Sequence, residues 1–354
     1  MTEPTEMIPP NDDLALGADP GYSIGTVAGI TGIAESTLRI WERRYRFPDA
    51  PRSVGGHRRY AQLDVIRLQW VKLRMDAGAR AGRAIQTLQL ETRAAGVARA
   101  LREPLPAVKR TDPALTLVRE SLLAALLAYD PAVTAILRDA AAHHPIERVV
   151  LDVVGPTLAT IGDAWSVGMV DVGTEHYATH LLRHQLLAWM RASPPPFRAQ
   201  PVVLACAPEE AHEGGILILA VLLRRARWPV VYLGQSLPLA ELPALVERAD
   251  PAALVFAAMS EPAALALAEW PLWLPQREGV LTPIVGYGGR AFTVNPDLAD
   301  RVPGVLWGST LGEGGERIHR VMLALNALEP GPAAATLHAG AERPRAGARQ
   351  GRVI

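Results

Sequence analysis

Between Ser23 and Tyr45 the apolar residues Ile24, Val27, Ile33, Leu38 and Trp41 recur at helical spacing on either side of a Thr31-Gly32-Ile33 turn. This predicts two short helices, the first capped by Ser23 and the second covering residues 34–45. The second keeps Thr37, Arg39, Arg43 and Arg44 off its apolar face, so one side packs and the other is free for a partner. Next comes Arg52-Ser53-Val54-Gly55-Gly56-His57-Arg58-Arg59-Tyr60, a Gly-Gly turn inside a basic segment, the pattern of a hairpin wing. Residues 113–192 are helical in period throughout, in the segments SLLAALLAYD, AVTAILRDAAAH, PIERVVLDVVGPTLATIGDAW and VGTEHYATHLLRHQLLAWM, and a four-helix bundle is their simplest arrangement. From residue 201 the period changes. Short runs VVLACA, VVYLG, ALVFAAM, PIVGYGG and VLWGS alternate with helical stretches, as in a doubly wound α/β fold with a parallel, flavodoxin-like sheet.

The segments without either period set the expected boundaries. Residues 1–20 and 327–354 are Pro-rich and aperiodic and read as disordered; 91–112 breaks at Pro104 and Pro106 and reads as a linker; 193–200 is a stiff proline linker. A multidomain chain is expected, with a winged helix-turn-helix at 21–90, a helical cap at 113–192 and an α/β domain at 201–326. At 354 residues and 49% hydrophobic, the chain has ample material for such cores. The longest apolar stretch, Ile216–Leu223, stops at Arg224 and Arg225, well short of the roughly 20 residues a membrane span needs. A single cysteine, Cys206, excludes a disulfide framework, and with an acidic start that lacks a basic-then-apolar leader it gives a cytoplasmic expectation.

Thirty-six basic and 36 acidic residues cancel over the whole chain, but not locally. From Tyr22 to Arg83 twelve basic residues face five acidic ones, an excess of seven. Charge of that density suits a polyanion, because displaced counterions supply much of the affinity for a phosphate backbone. The helix at 34–45 and the wing residues Arg52, His57, Arg58 and Arg59 then point to double-stranded DNA, with the helix in the major groove.

A second chemistry lies at the end of the first strand of the α/β unit. Pro208-Glu209-Glu210-Ala211-His212-Glu213-Gly214-Gly215 leads into a helix, which places His212 where open sheets bind ligands. A neutral imidazole there can coordinate a transition metal while Glu210 accepts the hydrogen on its other nitrogen, and Gly215 permits close approach. Alone, Glu-x-His-x-x-Gly is also compatible with a surface histidine.

Two resemblances add to this reading. The segment IGTVAGITGIAESTLRIWERRYRFPDAPRSVGGHRRYAQLDVIRLQ resembles the MerR family of transcriptional regulators, and WERRY with GGHRRY is similar to its carotenoid-gene repressor branch. Ala34 stands where many relatives have a capping Ser. The His212 motif resembles that of cobalamin-binding domains, in which the histidine is the lower cobalt ligand; Glu210 replaces their Asp, Ser260-Glu261-Pro262 is a poor match to their serine segment and Gly288-Gly289 a good match to their glycine pair. Trp165 followed by Glu175-His176 resembles the cap of light-responsive cobalamin repressors of the CarH/LitR type.

The resemblance implies a repressor, not an enzyme. Its operator binding and its assembly, a tetramer in the dark, would answer to adenosylcobalamin, or alternatively methylcobalamin, and to photolysis. It implies that His212 binds cobalt from below, Trp165 covers the upper face, Glu175 and His176 meet the adenosyl group, and Gly288 and Gly289 line the nucleotide tail. In the light-responsive relatives a histidine follows the cap tryptophan; here it is Ser166, which opens the alternative of a vitamin-level sensor with little light dependence. A corrinoid carrier for methyl transfer is the other alternative. Two further patterns weigh less: His176, His180 and His184 span more than two turns, too far for one zinc ion, and Gly286-Tyr287-Gly288-Gly289-Arg290-Ala291 follows the fourth strand, not the first as a dinucleotide site would.

Overall fold

The computed structural model describes residues 21–51, 57–105, 112–275 and 282–326. Arg52 of the wing, with its Gly-Gly turn, and the terminal segments expected to be disordered lie outside the described residues.

The N-terminal module is built from α1 (Ile24–Thr31), α2 (Glu35–Tyr45) and α3 (Gln62–Asp76). Ser23 caps α1 by accepting from the Thr26 N–H, and Gly32 ends it in the left-handed conformation that makes the helix-turn-helix corner. Ala34 precedes α2 with no side-chain cap, and its carbonyl accepts the first backbone bonds, from the Thr37 and Leu38 N–H groups. Val27, Ile33, Leu38, Trp41, Tyr60, Leu68 and Trp70 close one core, and Tyr22 pairs with Tyr60 to fix the base of the wing.

α4 (Ala81–Arg102) departs from the expected boundary at 91: the helix runs 22 residues through half of the supposed linker. The Thr-Arg-Ala-Ala-Gly-Val-Ala-Arg-Ala stretch at 92–100 is rich in strong helix formers, which outweigh the single Gly96, and the helix stops just short of Pro104. Its second half lies on the last described helix, Leu311–Asn326, with Ala100 inside the core of the C-terminal part, Gly96 facing Ala324, and Arg320 reaching the Pro104 carbonyl at 2.9 Å.

The cap comprises α5 (Pro113–Leu127), α6 (Val133–His143), α7 (Ile146–Val149), α8 (Gly155–Ser166) and α9 (Val172–Arg191). A π-helical turn at Val150–Val154 joins α7 to α8, just ahead of Pro156, which cannot donate into the helix ladder.

The α/β unit has β1 (Val202–Cys206), α10 (Gly214–Arg225), β2 (Val230–Gly234), α11 (Leu242–Ala249), β3 (Ala253–Ala257), α12 (Glu261–Ala266), α13 (Trp270–Trp273), β4 (Ile284–Gly288), α14 (Arg290–Val294), α15 (Leu298–Arg301), β5 (Val305–Leu306) and α16 (Leu311–Asn326). All pairs are parallel in the order β2-β1-β3-β4-β5, the flavodoxin-like winding. Along β1, Val202, Leu204 and Cys206 face one core while Val203 and Ala205 face the other. The first of these cores also contains the cap, α10 and α16. Cap and sheet therefore share one hydrophobic interior; the separate units expected from sequence are fused at this face.

The proline segment is also more firmly held than a free tether. Phe197 donates its N–H to the Arg227 carbonyl at 2.8 Å, Arg227 lies over its ring, and Arg224 and Arg227 donate to the carbonyls of Pro194 and Pro195.

Candidate functional site

The loop after β1 aims His212 by clamping the residue two before it. Glu210 is 3% exposed; one carboxylate oxygen accepts from the His212 N–H at 2.9 Å and faces its Nδ1 at 2.6 Å, and the other accepts from the Met259 N–H at 2.8 Å. Burial alone would raise this carboxyl, but those two backbone donors and the imidazole outweigh it and hold it below the usual glutamate range. An ionised Glu210 accepts the hydrogen on Nδ1, so in a neutral ring the lone pair falls to Nε2, on a side chain that is 70% exposed. That donor set suits a soft-to-borderline metal offered from outside, such as cobalt in a corrin.

Beneath it, Cys206 donates its Sγ–H to the His212 carbonyl, and burial with the carboxylates of Glu210 and Glu213 pushes this thiol up to about 12. Glu213, on the other side of His212, is also buried; Arg183 of α9 donates to it at 2.6 Å, and Tyr232 of β2 donates to its second oxygen. Sequence reasoning missed Arg183, Glu213 and Tyr232, because no local spacing links positions 30 and 19 residues apart.

From the cap, Trp165 at the end of α8, Val167 and Met169 in the turn that follows and Val172 at the start of α9 are exposed, an apolar run able to cover a flat ring system. Glu175 accepts from the Thr179 hydroxyl at 2.7 Å and faces His176 Nδ1 at 2.6 Å. Burial opposes its charge, yet Thr179 and His176 hold it below the usual range, and nearby His212 adds to that effect. Cap carboxylate and sheet imidazole thus lie within electrostatic reach of each other. His176 and His180 are exposed with rings 6.4 Å apart. Ser166 turns its hydroxyl onto the Asp163 carbonyl.

The remaining positions divide. Gly289 has φ 117°, and a Cβ there would run into the Ala258 carbonyl, so the β3 and β4 loops meet only because it is glycine; Gly288 beside it is unobstructed. Ser260 does not join the Glu210 network; its hydroxyl caps α12 by accepting from Ala263. At Gly215 a Cβ would touch Leu311 at an ordinary 3.7 Å, so its small size meets no tight demand from α16. Gly286 makes room for the buried Trp307, a packing role for the first glycine of the pattern that mimics a dinucleotide motif.

In the N-terminal module Arg43 and Arg44 are exposed on α2, with Arg44 over the Tyr45 ring, and Thr37 is half-buried. Arg39 is tied to Glu35 at 2.9 Å. Arg58 is bound to Glu42 at 2.6 Å, bracing the wing against α2, while His57 and Arg59 are exposed.

Comparison with known proteins finds matches to the N-terminal module and to the helical cap. A MerR HTH family regulatory protein model matches residues 22–90, and a B12 binding domain model matches residues 118–187. The HTH-type transcriptional repressor CarH of Myxococcus xanthus is 33% identical over 231 residues, 64% of this chain and 74% of CarH. The chain belongs to the CarH/CarA family. CarA, an HTH-type transcriptional repressor of the same organism, is 34% identical over 62% of this chain and 70% of CarA. Among solved structures, the Methanosarcina barkeri monomethylamine corrinoid protein overlays at a TM-score of 0.48 and 13% identity, covering 58% of this chain and 99% of that one. The chain is a MerR-type regulator with a B12-binding domain, and among the described residues no helix is long and apolar enough to cross a membrane.

Proposed function

We propose that this protein is a cytoplasmic repressor whose operator binding and assembly, a tetramer in the dark, are set by adenosylcobalamin and its photolysis. The observation that carries the reading is the His212–Glu210 clamp, an exposed imidazole with its proton fixed by a buried carboxylate, in the same chain as a helix-turn-helix with exposed Arg43 and Arg44. In this reading His212 would hold the cobalt through Nε2, the indole of Trp165 would cover the corrin, and Glu175 would offer its carboxylate to the ribose hydroxyls of the adenosyl group. Gly288 and Gly289 line the nucleotide tail. Adenosylcobalamin supplies, when bound, a cobalt–carbon bond that light breaks. Ligand control requires unequal affinity for two arrangements, and contacts from Trp165 and Glu175 that depend on the adenosyl group provide it.

The test is retention of random duplex DNA by the full chain in darkness with adenosylcobalamin, with methylcobalamin and without either, followed by illumination. Sequence-selective retention that needs adenosylcobalamin and is lost in light supports the proposal. Retention indifferent to all cobalamins refutes control by the cofactor, and cobalamin dependence without a light effect selects the vitamin-level sensor.

A further inference from the structure

His212 is bracketed by two buried carboxylates that are held from different directions. Glu210 is anchored within the sheet, by the Met259 N–H at the end of β3. Glu213 is anchored in part from outside it: Arg183 Nε, on cap helix α9, donates to one oxygen at 2.6 Å, with Gln235 at 3.4 Å, while the Tyr232 hydroxyl on the sheet's edge strand β2 donates to the other. Glu213 is the residue that immediately precedes α10, so fixing its side chain fixes the backbone between His212 and that helix. A Cβ at Gly234 would lie 3.2 Å from the Glu213 oxygen that Tyr232 binds, so the backbone closely approaches that side of the carboxylate.

A buried carboxylate needs its donors, and removing the only guanidinium among them leaves a charge the surroundings do not satisfy. A displacement of α9 that withdraws Arg183 therefore leaves Glu213 short of its strongest donor. The same helix carries Glu175, so the part of the cap that faces the ligand and the part that grips Glu213 move as one element.

We propose that Arg183 is a positioning residue through which the cap sets the orientation of His212, by way of Glu213. When α9 is seated, the His212 loop is pinned at both ends and the imidazole keeps its bond to Glu210; when α9 lifts, the Glu213 end is released and the imidazole loses its fixed direction. The seating of the cap and the readiness of the metal-binding nitrogen are then one equilibrium. This inference rests on His212 being the cobalt ligand for its purpose, but not for its geometry.

The test reads His212 directly in the cofactor-free full chain, by nitrogen NMR of its ring at a fixed pH where the imidazole is neutral, with the signal assigned by His212→Ala. The parent should show the Nδ1–H tautomer alone. In Arg183→Met the two ring nitrogen shifts should move toward each other as both tautomers become populated, and Arg183→Lys should recover most of the parent signature. Tyr232→Phe, which removes the other strong donor, should give a smaller shift in the same direction. Arg225→Met is the control: it removes a different cap-to-sheet ion pair, Arg225–Glu147 at 3.0 Å, and should leave His212 unchanged. An unaltered tautomer in Arg183→Met, or an equal change in Arg225→Met, overturns the proposal. A separate arm, hydroxocobalamin binding by the parent and His212→Ala, tests the ligand assignment; identical spectra there would remove that assignment while the tautomer result still decides the coupling.

Discussion

Replacing Glu210 by Gln changes one atom at the centre of the site. The parent carboxylate accepts from two backbone N–H groups, those of His212 and Met259, on different oxygens, and from the imidazole. An amide keeps one acceptor oxygen and turns an NH2 toward whichever donor remains. One buried N–H, or the ring, is then left facing a donor, and an unsatisfied buried group costs about 1–3 kcal/mol. Removal of the buried charge offsets little, because the native environment favours the ionised form. A loss of about 2 kcal/mol is expected, which for a body of this size lowers the melting temperature of the cofactor-free protein by about 4–8 °C. The pH dependence gives a second signature. A carboxyl held below its usual range contributes stability that is complete above the ordinary glutamate pKa of about 4.3 and disappears as pH falls through the lower native value. The gap between parent and Glu210→Gln should thus be constant near neutrality and close in acid. Loss of the ring's partner should also weaken cobalamin binding about 10–100-fold. Thermal scans from neutral to acid pH make the measurement; equal melting temperatures at neutral pH, or a gap that widens in acid, would refute the reasoning.

Arg43→Ala should weaken DNA binding and reduce the slope of log affinity against log salt by about 0.9, as expected for one lost phosphate contact; an unchanged slope removes Arg43 from the interface. Gly286→Ala would drive a methyl into Trp307 and the Val305 carbonyl, and should lower stability in urea by about 1–3 kcal/mol with no change in the charge of the site. Beside the cap tryptophan the Ser166 hydroxyl is a poor cobalt ligand and is turned onto Asp163, so cobalamin on the illuminated protein should exchange readily with added cyanide. A spectrum that resists exchange for hours would show that a histidine, His176 or His180, has taken the upper face.

Local chemistry was the part of this protein legible in sequence. The helix-turn-helix corner, the five strands and the Glu210–His212 pair each depend on neighbouring residues: a cap, a left-handed Gly32, an alternating apolar run, a spacing of two. What escaped depends on packing between distant segments. Residues 91–102 run up to Pro104 and Pro106, so they read as part of a linker, yet they form a helix laid on α16. The same blindness hid Arg183 and Tyr232, whose partner Glu213 lies in a motif that seemed complete with His212 and Glu210. The proline segment read as a stiff linker because proline composition indicates stiffness; that Arg224 and Arg227 would hold it down is a tertiary fact. Arg58 looked like a wing tip reaching DNA because its charge was visible and its Glu42 partner was not.

The claim on which the account turns is that His212 ligates cobalt, and the visible absorption spectrum of the full chain mixed with adenosylcobalamin in darkness, beside that of His212→Ala, tests it most directly. The parent should show the spectrum of a cobalamin with a nitrogen ligand supplied by the protein, and the variant should shift to the form lacking it, with much weaker binding. Spectra that coincide would contradict the assignment.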